Sequence, residues 1–115
     1  MDRRKEIGQK GEDRAAKYLE SIGYRIVGRN WRHALGELDI VAMDKQELVF
    51  VEVRTIESPH FGVPEESVGR FKQRQLAKLA TAYVQGVKHA GDWRIDVVAI
   101  DGDGLRHIPN AVSLW

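Results

Sequence analysis

The sequence predicts a single α/β domain over residues 1–115, with a mixed central β-sheet flanked by two helices in the order αβββαββ. Three observations predict it. Two long stretches, Asp2 to Ile22 and Glu66 to Lys88, repeat apolar residues at helical spacing. Between and after them lie short alternating or continuous apolar runs bounded by turn-forming segments. Two of those runs, read as a hairpin, put apolar residues on both sides, as a sheet covered on both faces requires.

In the first helix Ile7, Gly11, Ala15, Tyr18, Leu19 and Ile22 form one stripe, and Gly23 supplies the stop. A short strand, Tyr24 to Arg29, leads into a polar basic link, Asn30-Trp31-Arg32-His33. The hairpin strands span Glu37 to Met43 and Leu48 to Thr55. Pro59, Gly62 and Pro64 mark a loop. The second helix carries Val68, Leu76, Leu79, Ala80, Tyr83 and Val87 inward. Trp93 to Ile100 reads as the next strand, turning at Asp101-Gly102-Asp103-Gly104 into a last strand around Leu105 to Ile108.

Composition excludes several functions. A hydrophobic fraction of 43% and a charged fraction of 30% belong to a folded domain rather than a disordered tail. With no cysteine there is no disulfide framework, thiolate metal site or cysteine nucleophile, which fits a reducing cytoplasm. The basic start Met1-Asp2-Arg3-Arg4-Lys5 lacks a following apolar stretch, so no secretory signal is expected. No apolar run approaches the roughly 20 residues that cross a bilayer. A cytoplasmic location with no membrane partner is the expectation. His33, His60, His89 and His107 lie in loops or on the last strand, without zinc-ligand spacing. There is no glycine-rich phosphate loop and no nucleophile elbow. The net charge of +1 says little about nucleic acid, because placement of charge decides that.

A hairpin register follows from the pattern. If Ala42 faces Val49, Ile40 faces Val51 and Leu38 faces Val53 on one side, then Met43 faces Leu48 and Val41 faces Phe50 on the other. A loop of two residues or of four gives this register. It sets Asp39 opposite Glu52 and Glu37 opposite Arg54. Facing carboxylates repel, with Cβ atoms roughly 4.5–5.5 Å apart, and at the end of an apolar strip they need a cation. One reading is a divalent ion, Mg²⁺ or Mn²⁺, for which carboxylate oxygens are the preferred ligands. The other is an ion-pair network with Arg54 and Lys72.

Lys72 is anomalous because it falls inside the second helix's apolar stripe, one turn before Leu76. It either snorkels along the helix or reaches toward the Asp39/Glu52 pair or a bound phosphate. Glu12 lies at the edge of the first stripe beside Gly8, Gly11 and Ala15. The plain reading is a solvated edge residue; the sharper one is that its small neighbours leave room for another molecule or for close helix packing. Asp96 reads as a structural partner of Arg94.

The stretches Gly8-x-x-Gly11-Glu12-x-x-Ala15, Arg29-Asn30-Trp31-Arg32, Gly36-Glu37-Leu38-Asp39-Ile40-Val41, Phe50-Val51-Glu52-Val53-Arg54 and Phe61-Gly62-x-Pro64-Glu65-Glu66 resemble the YraN-like family of uncharacterised bacterial proteins. So do Lys72-Gln73-x-x-Leu76 through Ala82-Tyr83, Arg94-x-Asp96-Val97-Val98 and His107-Ile108-x-Asn110-Ala111. That family is similar to the restriction-endonuclease-like PD-(D/E)XK superfamily and its Holliday-junction resolvases. The resemblance implies a restriction-endonuclease-like core, αβββαβ. It also implies a helix acid at Glu12, a strand aspartate at Asp39, an E-x-K pair at Glu52 and Arg54, and a helix lysine or glutamine at Lys72, Gln73 or Gln75.

Two departures stand out. Arg54 occupies the lysine position, and a guanidinium stays protonated and cannot act as the base. Ile56 stands where relatives often carry a basic residue. The expected function is metal-dependent phosphodiester hydrolysis on DNA, selective for a flap or junction. Asp39, Glu52, the Val53 carbonyl and Glu12 are the expected holders of Mg²⁺ or Mn²⁺. Asp39, Glu52, Arg54 and Lys72 are the expected catalytic set, and Arg29, Arg32, Arg54, Arg70, Lys72 and Arg74 the nucleic-acid contacts. The alternative is a weakly active or inactive nucleic-acid-binding module that keeps the nuclease fold. Oligomeric state is left open.

Overall fold

The computed structural model describes residues 3–56 and 69–112. The first helix, α1, spans Arg3–Ser21, and Gly23 stops it as expected. Its φ of +98° is a value that L side chains rarely adopt, and its N–H donates to the Glu20 carbonyl at 3.1 Å. Four strands occupy the predicted places with ends moved by a residue: β2 (Gly36–Asp44), β3 (Glu47–Ile56), β4 (Trp93–Asp101) and β5 (Gly104–Ile108). The hairpin takes the two-residue loop, Lys45-Gln46, with Asp44 paired to Glu47 and Lys45 at φ +59°.

β1 is longer than expected, Arg25–His33, because Asn30-Trp31-Arg32-His33 is strand rather than link. Trp31 pairs with Leu38 and Arg32 with Glu37. The strand holds these polar residues because it is a sheet edge with one side in solvent, and a register shift between Ile26 and Gly28 adjusts the pairing. The second helix, α2, is described over Arg70–Val87. Its expected start at Glu66, the inward Val68 and the Pro59–Pro64 loop lie outside the described residues.

The five strands lie in the order β1-β2-β3-β4-β5. β1, β2 and β3 form an antiparallel meander, β3 and β4 run parallel, and β5 is antiparallel to β4. A parallel neighbour needs a crossover, and α2 lies within it. Each face is covered by one helix. On the α1 side Ala15, Ala16 and Leu19 pack on Ile40, Ala42, Val49, Val51, Val98 and Ile100. On the other side Leu76, Leu79 and Ala80 pack on Val41, Phe50, Ile95 and Val97. Phe50 meets Tyr83 and Trp93 edge-on at 5.5 and 5.8 Å. The helix stripes are shorter than expected, since Ile22 and Val87 are about half exposed. Both sit at helix ends, past the sheet that would cover them.

Two close approaches fix where the helices sit on the sheet. A Cβ on Gly11 would collide with Thr55 Oγ1, so glycine lets α1 press directly onto the end of β3. At α2, Gln75 Nε2 donates to the Leu35 carbonyl at 2.7 Å and ties the helix to the β1–β2 turn. Among the described residues no helix is long and apolar enough to cross a membrane.

Candidate functional site

The β2–β3 ladder keeps the expected register from Asp44–Glu47 to Ile40–Val51. The three further pairs expected of it, Leu38–Val53, Asp39–Glu52 and Glu37–Arg54, are absent from that ladder. The physical reason is Asp39. Its Oδ2 accepts the Val53 N–H at 2.9 Å, a bond from side chain to backbone in place of a ladder bond. The alternation of β2 breaks at the same point. Leu38 packs in the α2-side cluster and Ile40 in the α1-side cluster, where they were expected on one face. Glu37 turns to β1, accepting from Asn30 Nδ2 at 2.9 Å with Arg32 Nε at 3.5 Å.

The two acids nevertheless converge. Glu52 is buried, and Asp39 shares a carboxyl–carboxyl hydrogen bond with it. The Asp39 carboxyl is pushed up to about 8, by burial first and then by that bond and the Glu52 charge. The Val53 N–H works in the opposite direction, and Glu12 adds a smaller upward push. Asp39 therefore carries a proton at neutral pH, which relieves the repulsion.

Lys72 does reach the sheet. Its Nζ lies 3.3 Å from Glu52 Oε2, and the side chain is half-buried. Arg54, two residues beyond Glu52 on β3, is half-buried as well. Glu12 is half-buried and engaged elsewhere: it accepts from Asn30 Nδ2 at 2.8 Å, and Arg29 Nη2 stands 3.7 Å away. Arg29 also pairs with Asp13 at 2.8 Å. Gln75 is committed to Leu35, while Lys72 meets Glu52.

Among the described residues no group of three or more His, Cys, Asp or Glu is set to hold a metal. A two-carboxylate site still fits Mg²⁺, which commonly takes one or two carboxylates and completes its shell with waters and substrate phosphate. Two acids brought together at a largely buried place mark where a cation's charge would be welcome. The donor set is thus Asp39 and Glu52, with Glu12 held off by Asn30 and Arg29.

The basic residues show a pattern that the sequence reading did not use. α2 carries Arg70, Lys72, Arg74 and Lys78 and not one carboxylate. Three of the four lie in its first five residues, at the positive end of the helix dipole. Cations there cost typically about 0.3–1 kcal/mol each, and Gly69 offers no side-chain cap. Such a start is suited to an anion. Arg70 and Arg74 are exposed, as is Arg32 on β1.

Sequence reasoning also missed a polar cluster on the α1 face of the sheet. Asp96 is fully buried, and its Oδ1 accepts from Arg94 Nε and the Asn110 N–H, both at 2.9 Å. Its Oδ2 meets His107 Nε2 at 2.7 Å and the Tyr24 hydroxyl at 3.3 Å. Tyr18 Oη lies 3.2 Å from His107 Nδ1. Burial and then the Asp96 charge push the Tyr24 hydroxyl up to about 12. Arg94 extends the cluster to Asp44 and Glu47. The expected Arg94–Asp96 partnership is present. A carboxylate inside the apolar run of β4 was the available signal for the rest.

The fold and site define a class: a mixed α/β domain of αβββαβ core order, with paired acids at the open end of a hairpin beneath a basic helix start. Residues 11–100 match the uncharacterised protein family UPF0102, and the chain belongs to that family. It is 46% identical to the UPF0102 protein of Geobacter sulfurreducens over 115 aligned residues, covering 94% of this chain and 89% of the relative. The Moorella thermoacetica member is 50% identical over 98 residues, covering 84% and 82%. The Persephonella marina member is 42% identical over 108 residues, covering 93% of each. The YraN-like resemblance is thereby borne out.

Proposed function

We propose that this chain is a metal-dependent phosphodiester hydrolase acting on DNA, selective for structure rather than sequence. One observation carries the reading: the Asp39 and Glu52 carboxyls meet at the end of the hairpin, with Lys72 of a carboxylate-free helix 3.3 Å from Glu52. Mg²⁺ or Mn²⁺ held by Asp39 and Glu52, with waters and the Val53 carbonyl, would lower the pKa of a bound water and polarise the phosphate; Glu12 would join them only on leaving Asn30 and Arg29.

The chain's own residues then divide the work. Asp39 gives up its proton and Glu52 its ion pair, which releases Lys72 to bind phosphate. Arg54 stays charged throughout, so it binds phosphate and stabilises developing negative charge without acting as the base. Arg29, Arg32, Arg70 and Arg74 follow the backbone through salt-sensitive contacts. None of these groups is a base reader, so selectivity would rest on the shape of a flap or junction.

Cleavage of branched, single-stranded and duplex DNA with Mg²⁺ or Mn²⁺ tests this. Asp39→Ala is expected to lose roughly a hundredfold or more in rate; equal cleavage by both proteins excludes the site. Arg54 in the lysine position favours a second reading, a binding module without catalysis. Chelator-insensitive DNA binding with no cleavage under either metal would establish that one instead.

A further inference from the structure

Phe71 is 83% exposed in the first turn of α2. A ring this exposed offers an open face to an occupant, and it stands on the helix that carries Lys72 to the proposed site. Its surroundings say which kind. Arg70 precedes it, Lys72 follows it and Arg74 lies one turn on, and the helix has no carboxylate to repel a polyanion. Lys72 points inward to Glu52. At about 100° of rotation per residue, Phe71 leaves the axis on the adjacent, outer side.

We infer that Phe71 is a stacking platform for an unpaired base of single-stranded DNA, held next to the phosphate that the Asp39/Glu52 site would receive. An aromatic face interleaved with cations is the arrangement that binds single strands, with the ring taking the base and the cations the backbone. A continuous duplex keeps its bases stacked and presents no face to the ring. The inference rests on the proposed hydrolase reading for the position of the phosphate, and it narrows the substrate to DNA with unpaired nucleotides at the site.

The test is fluorescence anisotropy on the full chain in EDTA, with an oligothymidine strand and a duplex of equal length as probes. Phe71→Ala is expected to weaken single-strand binding by roughly 5- to 150-fold. Duplex binding should stay unchanged, and Phe71→Trp should restore the single-strand affinity. Equal loss on both probes, no loss, or no single-strand binding by the unaltered chain overturns the inference. So does a Phe71→Ala chain that melts several degrees lower, or that changes from dimer to monomer, because the ring would then be covered by protein. The two readings fail separately. Loss of cleavage in Asp39→Ala with unchanged strand binding in Phe71→Ala sinks the platform alone. Selective strand binding without any cleavage sinks the hydrolase alone.

Discussion

A single carboxyl concentrates the tension of this molecule. Asp39 accepts the Val53 N–H at 2.9 Å and is held protonated by burial and by Glu52. Unfolded, it titrates near about 3.9; folded, near about 8. Between those values the folded chain binds a proton that the unfolded chain does not. The stability this contributes is complete below pH of about 4 and is lost as pH rises through about 8. In chelator, Asp39→Asn is therefore expected to melt above the unaltered chain at pH 8, with the gap narrowing as pH falls and closing only at pH of about 4, while cleavage is lost. Thermal melting across that range checks it, and a gap independent of pH would refute it. The residue was legible in the sequence because an acid facing an acid violates the pattern around it. The exact facing was not legible: the Val53 N–H bond replaces the ladder at that step, and no periodicity encodes a side chain that caps a strand.

At the scale of elements, the contact between α1 and β3 decides how near Glu12 comes to the acids. Gly11 has no Cβ, and one placed there would run into Thr55 Oγ1. Gly11→Ala is expected to cost about 1–2 kcal/mol despite alanine's better helix propensity. In a Thr55→Ala background the same change should be neutral or favourable by up to about 1 kcal/mol, because the remaining contact is ordinary. A double-mutant cycle by urea unfolding measures this coupling. The helices and the hairpin were readable from their periods, and Gly23 as a stop from its type. The length of β1 was not, since Asn30, Arg32 and His33 carry no apolar alternation and are strand only because β2 lies beside them. The stripe ends Ile22 and Val87 were misread for a related reason: a period continues past the point where the sheet stops covering it.

Over the whole molecule, the two polar centres occupy opposite faces of one sheet, and only one of them is proposed to act. Val51 pairs with Asp96 and Glu52 with Val97, so adjacent rungs send one acid up and one down. Asp96→Ala would strip the acceptor from Arg94, His107, Tyr24 and the Asn110 N–H. A loss of about 3–5 kcal/mol is expected, large against total stabilities of about 5–15 kcal/mol. Cleavage per folded molecule should be unchanged. Urea unfolding paired with a cleavage assay separates the two effects; an activity loss beyond the folded fraction would make Asp96 part of the site.

The opening of α2 has a consequence for how this protein comes to order. A helix that begins on an uncapped glycine with three like charges at its positive pole is poorly nucleated by its own residues, so its first turn frays at small expense. A polyanion bound there would neutralise what opposes winding. On the proposed reading, docking of a strand and firming of that first turn would be one event, the grip tightening once the guest is in place.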